Sequence, residues 1–574
     1  MTSPAKFPGD VLQEITRANA GMVEKLLRDH PAAGIGDIAA LVRIFATAEG
    51  RQLEKLRALE ETFYRDHLSL WNQLITPGES TAIGAAVDDH RFEAPEWGLP
   101  FFHYLQQTYL LNARFLRELG ELAELEPHAK RRLQFQLRQM ADAMSPTNYA
   151  ATNPEVIKLA AQTGGESLAQ GMKLLTGDVA RGRISMTDEQ AFEVGRNLAI
   201  TPGSVVFENE VMQLIQYAPA TPEVYGIPLL IVPPFINKYY ILDLQPENSF
   251  VRYCVEQGFS TFIVSWRNIP PELGQLGWDD YIGKGVLAPL DAVKAISGAG
   301  KINALGFCVG GTLLSCALSV MAARDDKRIA SLTLLATMLD FSETGDISVY
   351  IDREFVERSE QDFRLPGTMP GSKLANTFAT LRANDLIWHF VINNYLKGRS
   401  PRAFDLLYWN ADGSNLPGRL YAYYLRNMYL ENNLIIPGRL EACGAPLDLG
   451  EITVPAYIVA TREDHIVPWK SAYASVRLLG GRTEFVLGAS GHVAGIVNPV
   501  SKNRRHFWLN SSVDPDADGW FAGATQYAGS WWQHWAAWLS NRSGVRKPAP
   551  VELGNPQHPV IEAAPGRYVK EKSG

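Results

Sequence analysis

The chain has 574 residues, which fits two to four domains or subdomains, and a chain this long buries a normal core without help from disulfides or metals. Hydrophobic residues make up 46% and charged residues 20%, an ordinary globular balance, and a net charge of −8 argues against nucleic acid as the main partner. The four cysteines, Cys254, Cys308, Cys316 and Cys443, include no CxxC and no His/Cys ligand cluster, so no metal is expected and a reduced, cytoplasmic setting is.

The N-terminus, MTSPAKFPGDVLQE, lacks a basic stretch followed by an apolar one, so no secretory signal is expected. Residues 1–190 read as a mostly helical N-terminal domain. Apolar residues recur at helical spacing over 11–29, 53–74 and 101–125, and 128–144 is rich in Leu, Arg, Gln and Ala. Pro77-Gly78 and Pro95-Glu96 read as loops. His67, His90 and His103 stand alone and read as structural.

From about residue 191 the pattern changes. Apolar runs at 229–233, 261–266, 302–308, 332–338, 456–461 and 484–487 predict strands, and 249–257, 281–296 and 312–324 predict helices between them. Nearly all-apolar strands joined by helical crossovers predict a parallel sheet covered on both faces, hence an α/β fold over 191–574. The strongest apolar run, 227–236, holds three prolines and falls far short of the ~20 residues that span a bilayer, so no transmembrane segment is expected. Residues 346–443 break the alternation and are rich in aromatics, among them Trp388, Tyr395, Trp409, Tyr424 and Tyr429. An insertion of this length between core strands reads as a cap or lid. The segment around Trp531 and Trp535 predicts a closing helix, and the Pro-rich tail after Val545 is expected to wrap the surface.

The chemistry centres on Gly306-Phe307-Cys308-Val309-Gly310-Gly311. A strand, then G-x-C-x-G, then a helix is a nucleophile elbow with cysteine in place of serine. The turn is tight and crowded, which is why glycines flank it, and it presents the nucleophile at a helix N-terminus, where negative charge is favoured. Triad partners are expected in the order nucleophile, acid, histidine. Arg462-Glu463-Asp464-His465 follows one predicted strand, and Gly488-Ala489-Ser490-Gly491-His492 follows the next. His492 is the better base, because His465 adjoins the acid and would disturb the order. Spacing leaves Glu463 and Asp464 open as the acid. Oxyanion donors are expected from the backbone N–H of Val309 and from Phe235 or Ile236, in the loop after the first of these strands.

With those residues in hand, the chain resembles the polyhydroxyalkanoate synthases, or poly(3-hydroxyalkanoate) polymerases. The resemblance runs from about Phe192 to Val569. It rests on the stretch from Pro233 to Leu244, Ser265-Trp266-Arg267-Asn268, the elbow, the run from Arg462 to Trp469, Gly488–His492 and Pro565-Gly566-Arg567-Tyr568-Val569. It implies an α/β-hydrolase fold, with Cys308 as nucleophile, Asp464 as acid and His492 as base. The form of 237–247 looks like the single-subunit class I type that prefers short-chain substrates. The implied reaction joins (R)-3-hydroxyacyl units, most simply 3-hydroxybutyryl-CoA, into polyhydroxyalkanoate with release of CoA and no cofactor. The resemblance also implies a homodimer, contacts with the phasin proteins of the polymer granule, and a cytoplasmic, granule-associated location. A thioesterase, a lipase or an intracellular polyester depolymerase is the alternative on the same fold.

Overall fold

The computed structural model describes residues 50–75, 89–365, 367–512 and 514–573. The helix expected over 11–29 and the loop at Pro77-Gly78 lie outside them. The chain divides into two compact units, one of residues 1–188 with 376–402 and one of 189–375 with 403–574.

The described part of the first unit is helical. Its long helices are Gly50–Ile75, Pro100–Leu122, Pro127–Ala143, Pro154–Gln162 and Glu166–Arg181. Three begin on proline, whose fixed φ and missing N–H suit the first turn. Asn153 caps Pro154–Gln162 by accepting from the N–H groups of Glu155 and Val156. His67 packs its ring on Phe63 at 4.4 Å. Residues 376–402, inside the expected insertion, pack in this unit: Trp388, Val391 and Tyr395 bury against Leu175, and Leu396 against Leu168. Gly171 permits this approach, since a Cβ there would meet the carbonyl oxygen of Tyr395. The Tyr395 hydroxyl donates to buried Asp178 at 2.6 Å.

The second unit is built on one eleven-stranded sheet. Its strands are β1 (Gly203–Glu208), β2 (Met212–Tyr217), β3 (Leu229–Val232), β4 (Thr261–Trp266), β5 (Ile302–Phe307), β6 (Ile329–Leu335), β7 (Ala456–Thr461), β8 (Thr483–Gly488), β9 (His506–Leu509), β10 (Thr525–Ala528) and β11 (Glu562–Ala563). Their order is β10-β9-β8-β7-β6-β5-β3-β4-β2-β1-β11. The block from β4 through β3, β5, β6 and β7 to β8 is parallel, and these are the six strands expected from the apolar runs. The flanking pairs are antiparallel. One face packs against Ala288–Ser297, Val309–Ala323 and Trp469–Leu478, the other against Phe250–Glu256 and Trp531–Ser540. The α/β-hydrolase reading of this part of the chain therefore holds.

Several elements differ from expectation. The strand expected at 332–338 is β6, three residues earlier, and it stops where Ala336 turns to a φ of 40°. The helix expected over 281–296 starts at Trp278 and is interrupted by a π turn over Gly283–Leu287. The tail after Val545 joins the sheet as well as lying on it, since β11 pairs with β1.

Candidate active site

The elbow grows directly out of β5. The N–H of Cys308 donates to the carbonyl of Leu335 at 2.8 Å, extending the β5–β6 ladder by one residue. Cys308 then adopts φ 52° and ψ −129°, and Val309–Ala323 begins at the next residue. A positive φ at a residue with a side chain is strained, and the surrounding packing enforces it. A Cβ on Gly306 would run into the Cα of Gly311, and one on Gly310 into the carbonyl oxygens of Val232 and Pro233. The helix thus starts hard against the loop that follows β3.

Asp464 lies just past β7, and its carboxylate is held from two sides. Oδ1 accepts from the N–H groups of Ile466 at 2.9 Å and Val467 at 2.8 Å. Oδ2 accepts from the Thr461 hydroxyl at 3.2 Å and pairs with His492 Nδ1 at 2.6 Å. The loops after β7 and β8 are stitched together, since the N–H of Arg462 donates to the Gly488 carbonyl and that of Glu463 to the Ser490 carbonyl. Trp531 and Trp532 donate their indole N–H groups to the carbonyls of Gly495 and Ile496 and fix the short helix His492–Ile496 from below. Glu463 points to solvent while Asp464 is buried, so geometry separates the two acids that spacing left open. His465 belongs to the loop beside Gly345.

His492 is buried, and its ring stacks on Phe307 at 5.7 Å. Burial works against its charged form, but Asp464 on one side and Cys308 on the other outweigh that and hold the imidazole well above its usual range. The three residues expected to form a triad therefore meet, with the histidine between the other two. Val309 is buried at the start of the helix, and Ile236 sits in the β3 loop that the same helix abuts.

Two further groups at this site carry no motif. Tyr424 and Tyr429 come from Gly418–Tyr424 and the π turn Leu425–Leu430, inside the expected insertion. Burial first, then Tyr429 and Cys308, push Tyr424 well up; burial and Cys308 push Tyr429 up as well. The Tyr424 ring stacks on Trp278 at 5.6 Å and meets Tyr429 edge-on at 5.3 Å. The aromatic richness of 346–443 was the one sequence signal for them. Among the described residues, no three His, Cys, Asp or Glu side chains are grouped to hold a metal ion, and no helix is long and apolar enough to cross a membrane.

A parallel sheet with a cysteine at the elbow after β5, an acid after β7 and a histidine after β8 defines an α/β-hydrolase-fold protein with a thiol at the nucleophile position. The family model described as Poly-beta-hydroxybutyrate polymerase (PhaC) N-terminus matches residues 88–254, and the alpha/beta hydrolase fold model matches 227–499. The chain is 48% identical over 550 residues to the poly(3-hydroxyalkanoate) polymerase subunit PhaC of Cupriavidus necator, which covers 94% of this chain and 92% of that one. It is 40% identical over 492 residues to the subunit of the same name from Rhizobium meliloti, covering 85% and 80%. With the poly(3-hydroxyalkanoate) polymerase of Methylorubrum extorquens it shares 38% identity over 531 residues, covering 91% and 87%. The chain belongs to the poly(3-hydroxyalkanoate) polymerase family, and it is an acyltransferase that acts on hydroxyacyl-CoA and polymer.

Proposed function

We propose that this polymerase uses (R)-3-hydroxybutyryl-CoA as its main substrate and builds the polyester through an acyl-cysteine on Cys308. The observation that carries the reading is His492 lying between Cys308 and the Asp464 carboxylate at a strained elbow. His492 takes the thiol proton, and the thiolate attacks the thioester carbonyl of the substrate. The N–H groups of Val309 and Ile236 receive the oxyanion. The C–S bond to CoA breaks, and CoA leaves with the proton from His492.

In the second half, Asp464 helps activate the 3-hydroxyl of an incoming acyl-CoA, which gives its proton to His492 and attacks the Cys308 thioester. An ester bond forms and the C–S bond to Cys308 breaks. The lengthened chain, now a CoA thioester, reacylates Cys308 and releases CoA. A thiol suits this cycle because each loading step exchanges one thioester for another. A serine would form a more stable ester and slow onward transfer. Tyr424, Tyr429 and their aromatic neighbours, in the part of the insertion that stays with the sheet unit, keep water from the thioester. The same reading makes the enzyme a cytoplasmic homodimer at the granule surface, in contact with phasins and needing no cofactor.

The test is turnover of (R)-3-hydroxybutyryl-CoA, with CoA release and product both followed. The expected product is insoluble polymer, and free 3-hydroxybutyrate in its place would identify a hydrolase. Cys308→Ala is expected to abolish CoA release with the fold intact, His492→Gln to fail in both half-reactions, and Asp464→Asn to acylate but elongate poorly. Undiminished CoA release from Cys308→Ala overturns the acyl-cysteine reading.

A further inference from the structure

The loop after β3 carries Ile236, yet little of what holds that loop is local. Lys238 is 2% exposed, and its ammonium donates to the backbone carbonyl of Glu571, near the end of the chain, at 2.7 Å. Its own carbonyl accepts from the indole N–H of Trp409 at 2.7 Å. Tyr240 donates its hydroxyl to Asp412 at 2.8 Å. Asp412 is 4% exposed, and its other carboxylate oxygen pairs with the Lys572 ammonium at 3.0 Å. Asn268 binds the Lys572 carbonyl at 3.0 Å, Asn237 bridges to Gly413, and the N–H of Ser414 donates to the carbonyl of Ile236 itself.

The tail that reaches this loop is anchored in turn. Arg567 pairs with Glu208 and Glu562, both at 2.7 Å, and the Tyr568 ring lies 5.0 Å from the Arg267 guanidinium while its hydroxyl donates to the Asn209 carbonyl. Two opposite charges, Lys238 and Asp412, are thus buried beside the loop, and the tail supplies the hydrogen-bond acceptor of the one and the ion-pair partner of the other. A buried ammonium needs its acceptor and a buried carboxylate its cation, so removing the tail takes the carbonyl acceptor from Lys238 and leaves Asp412 with the Tyr240 hydroxyl but without its ion pair to Lys572.

We propose that residues 567–572 are a clasp that positions the loop of Ile236 and Lys238 for oxyanion stabilisation, with Lys572 and Lys238 as positioning residues. The proposal rests on the acyl-cysteine reading and adds a requirement that lies outside the triad. A donor displaced by about 1 Å costs on the order of a hundredfold in rate, while the nucleophile and its base, held by β5, β7 and β8, keep their places.

Lys572 is more than half exposed, so Lys572→Met folds. In this variant, kcat for CoA release is expected to fall about tenfold or more with KM little changed, and Lys572→Arg is expected to restore it. Alkylation of Cys308 by iodoacetamide needs no oxyanion donor, so its rate is expected to match wild type in Lys572→Met and in a chain ending at Lys570. Unchanged CoA release in both variants overturns the clasp. A parallel fall in alkylation also overturns it, because the tail would then be supporting the nucleophile rather than the loop. Failure of the underlying reading is seen separately, as CoA release by Cys308→Ala in the otherwise intact chain.

Discussion

Asp464 illustrates how much of this site is settled by single atoms. One carboxylate oxygen is tied to its own loop through Ile466 and Val467, which leaves the other to fix His492. Glu463, one residue earlier, has the same chemistry and the wrong direction. A second buried acid makes a contrasting case. Asp243 accepts from the hydroxyls of Thr201 and Ser249 deep in the core, and burial, only partly offset by those bonds, raises its pKa from 3.8 to about 6. A raised carboxyl pKa means that the folded state keeps its proton longer than the unfolded state. Stability is therefore lost as pH rises from about 4 to about 6, reaching on the order of 3 kcal/mol once both states are ionised. Asp243→Asn escapes that loss. Its melting temperature relative to wild type is expected to climb across this window and stay level above it, and a difference that does not vary with pH would contradict the assignment.

At the scale of elements, the decisive contact is between the N-terminus of Val309–Ala323 and the loop after β3. Gly310 lets them touch, with the carbonyl oxygens of Val232 and Pro233 where a side chain would go. Gly310→Ala is expected to cost about 1–3 kcal/mol of stability by overpacking, read from denaturant unfolding, and to slow CoA release by pushing the helix start off the loop. Elements of this kind were legible where the chemistry was local. The six parallel strands are buried on both faces and show as apolar runs, and the elbow shows as glycines around a cysteine. Strands β1 and β10 are only partly buried and carry mixed residues, and β11 has two residues, so none of them stands out. Tyr424 and Tyr429 reach the site by tertiary packing, which no spacing encodes. The same holds for the Lys238 and Lys572 contacts, whose partners Glu571 and Asp412 lie far off along the chain.

At the scale of the whole molecule, the division of the chain does not follow sequence order. Residues 376–402 belong with the helical unit although they are flanked on both sides by the sheet unit. A chain that starts at Glu189 keeps this segment and loses Leu168 and Leu175, against which Val391, Tyr395 and Leu396 pack with no exposure at all. That fragment is expected to elute as aggregates in size-exclusion chromatography, and Val391→Ser with Leu396→Ser is expected to return it to a soluble form. A monodisperse fragment without those changes would show that 376–402 finds other cover.

The pairing of Lys238 with a residue 333 positions later also has a consequence for how the enzyme is made. At about 5–20 residues per second, translation leaves roughly 17–67 s between the synthesis of Lys238 and that of Glu571. The elbow, the acid and the histidine are all made during that interval. Until Glu571 and Lys572 are made the proposed clasp cannot close, so a shorter nascent chain carries its thiol without the contacts that hold the loop of Ile236. Polyester synthesis by a chain that lacks these residues is expected to be slower than by one that has them.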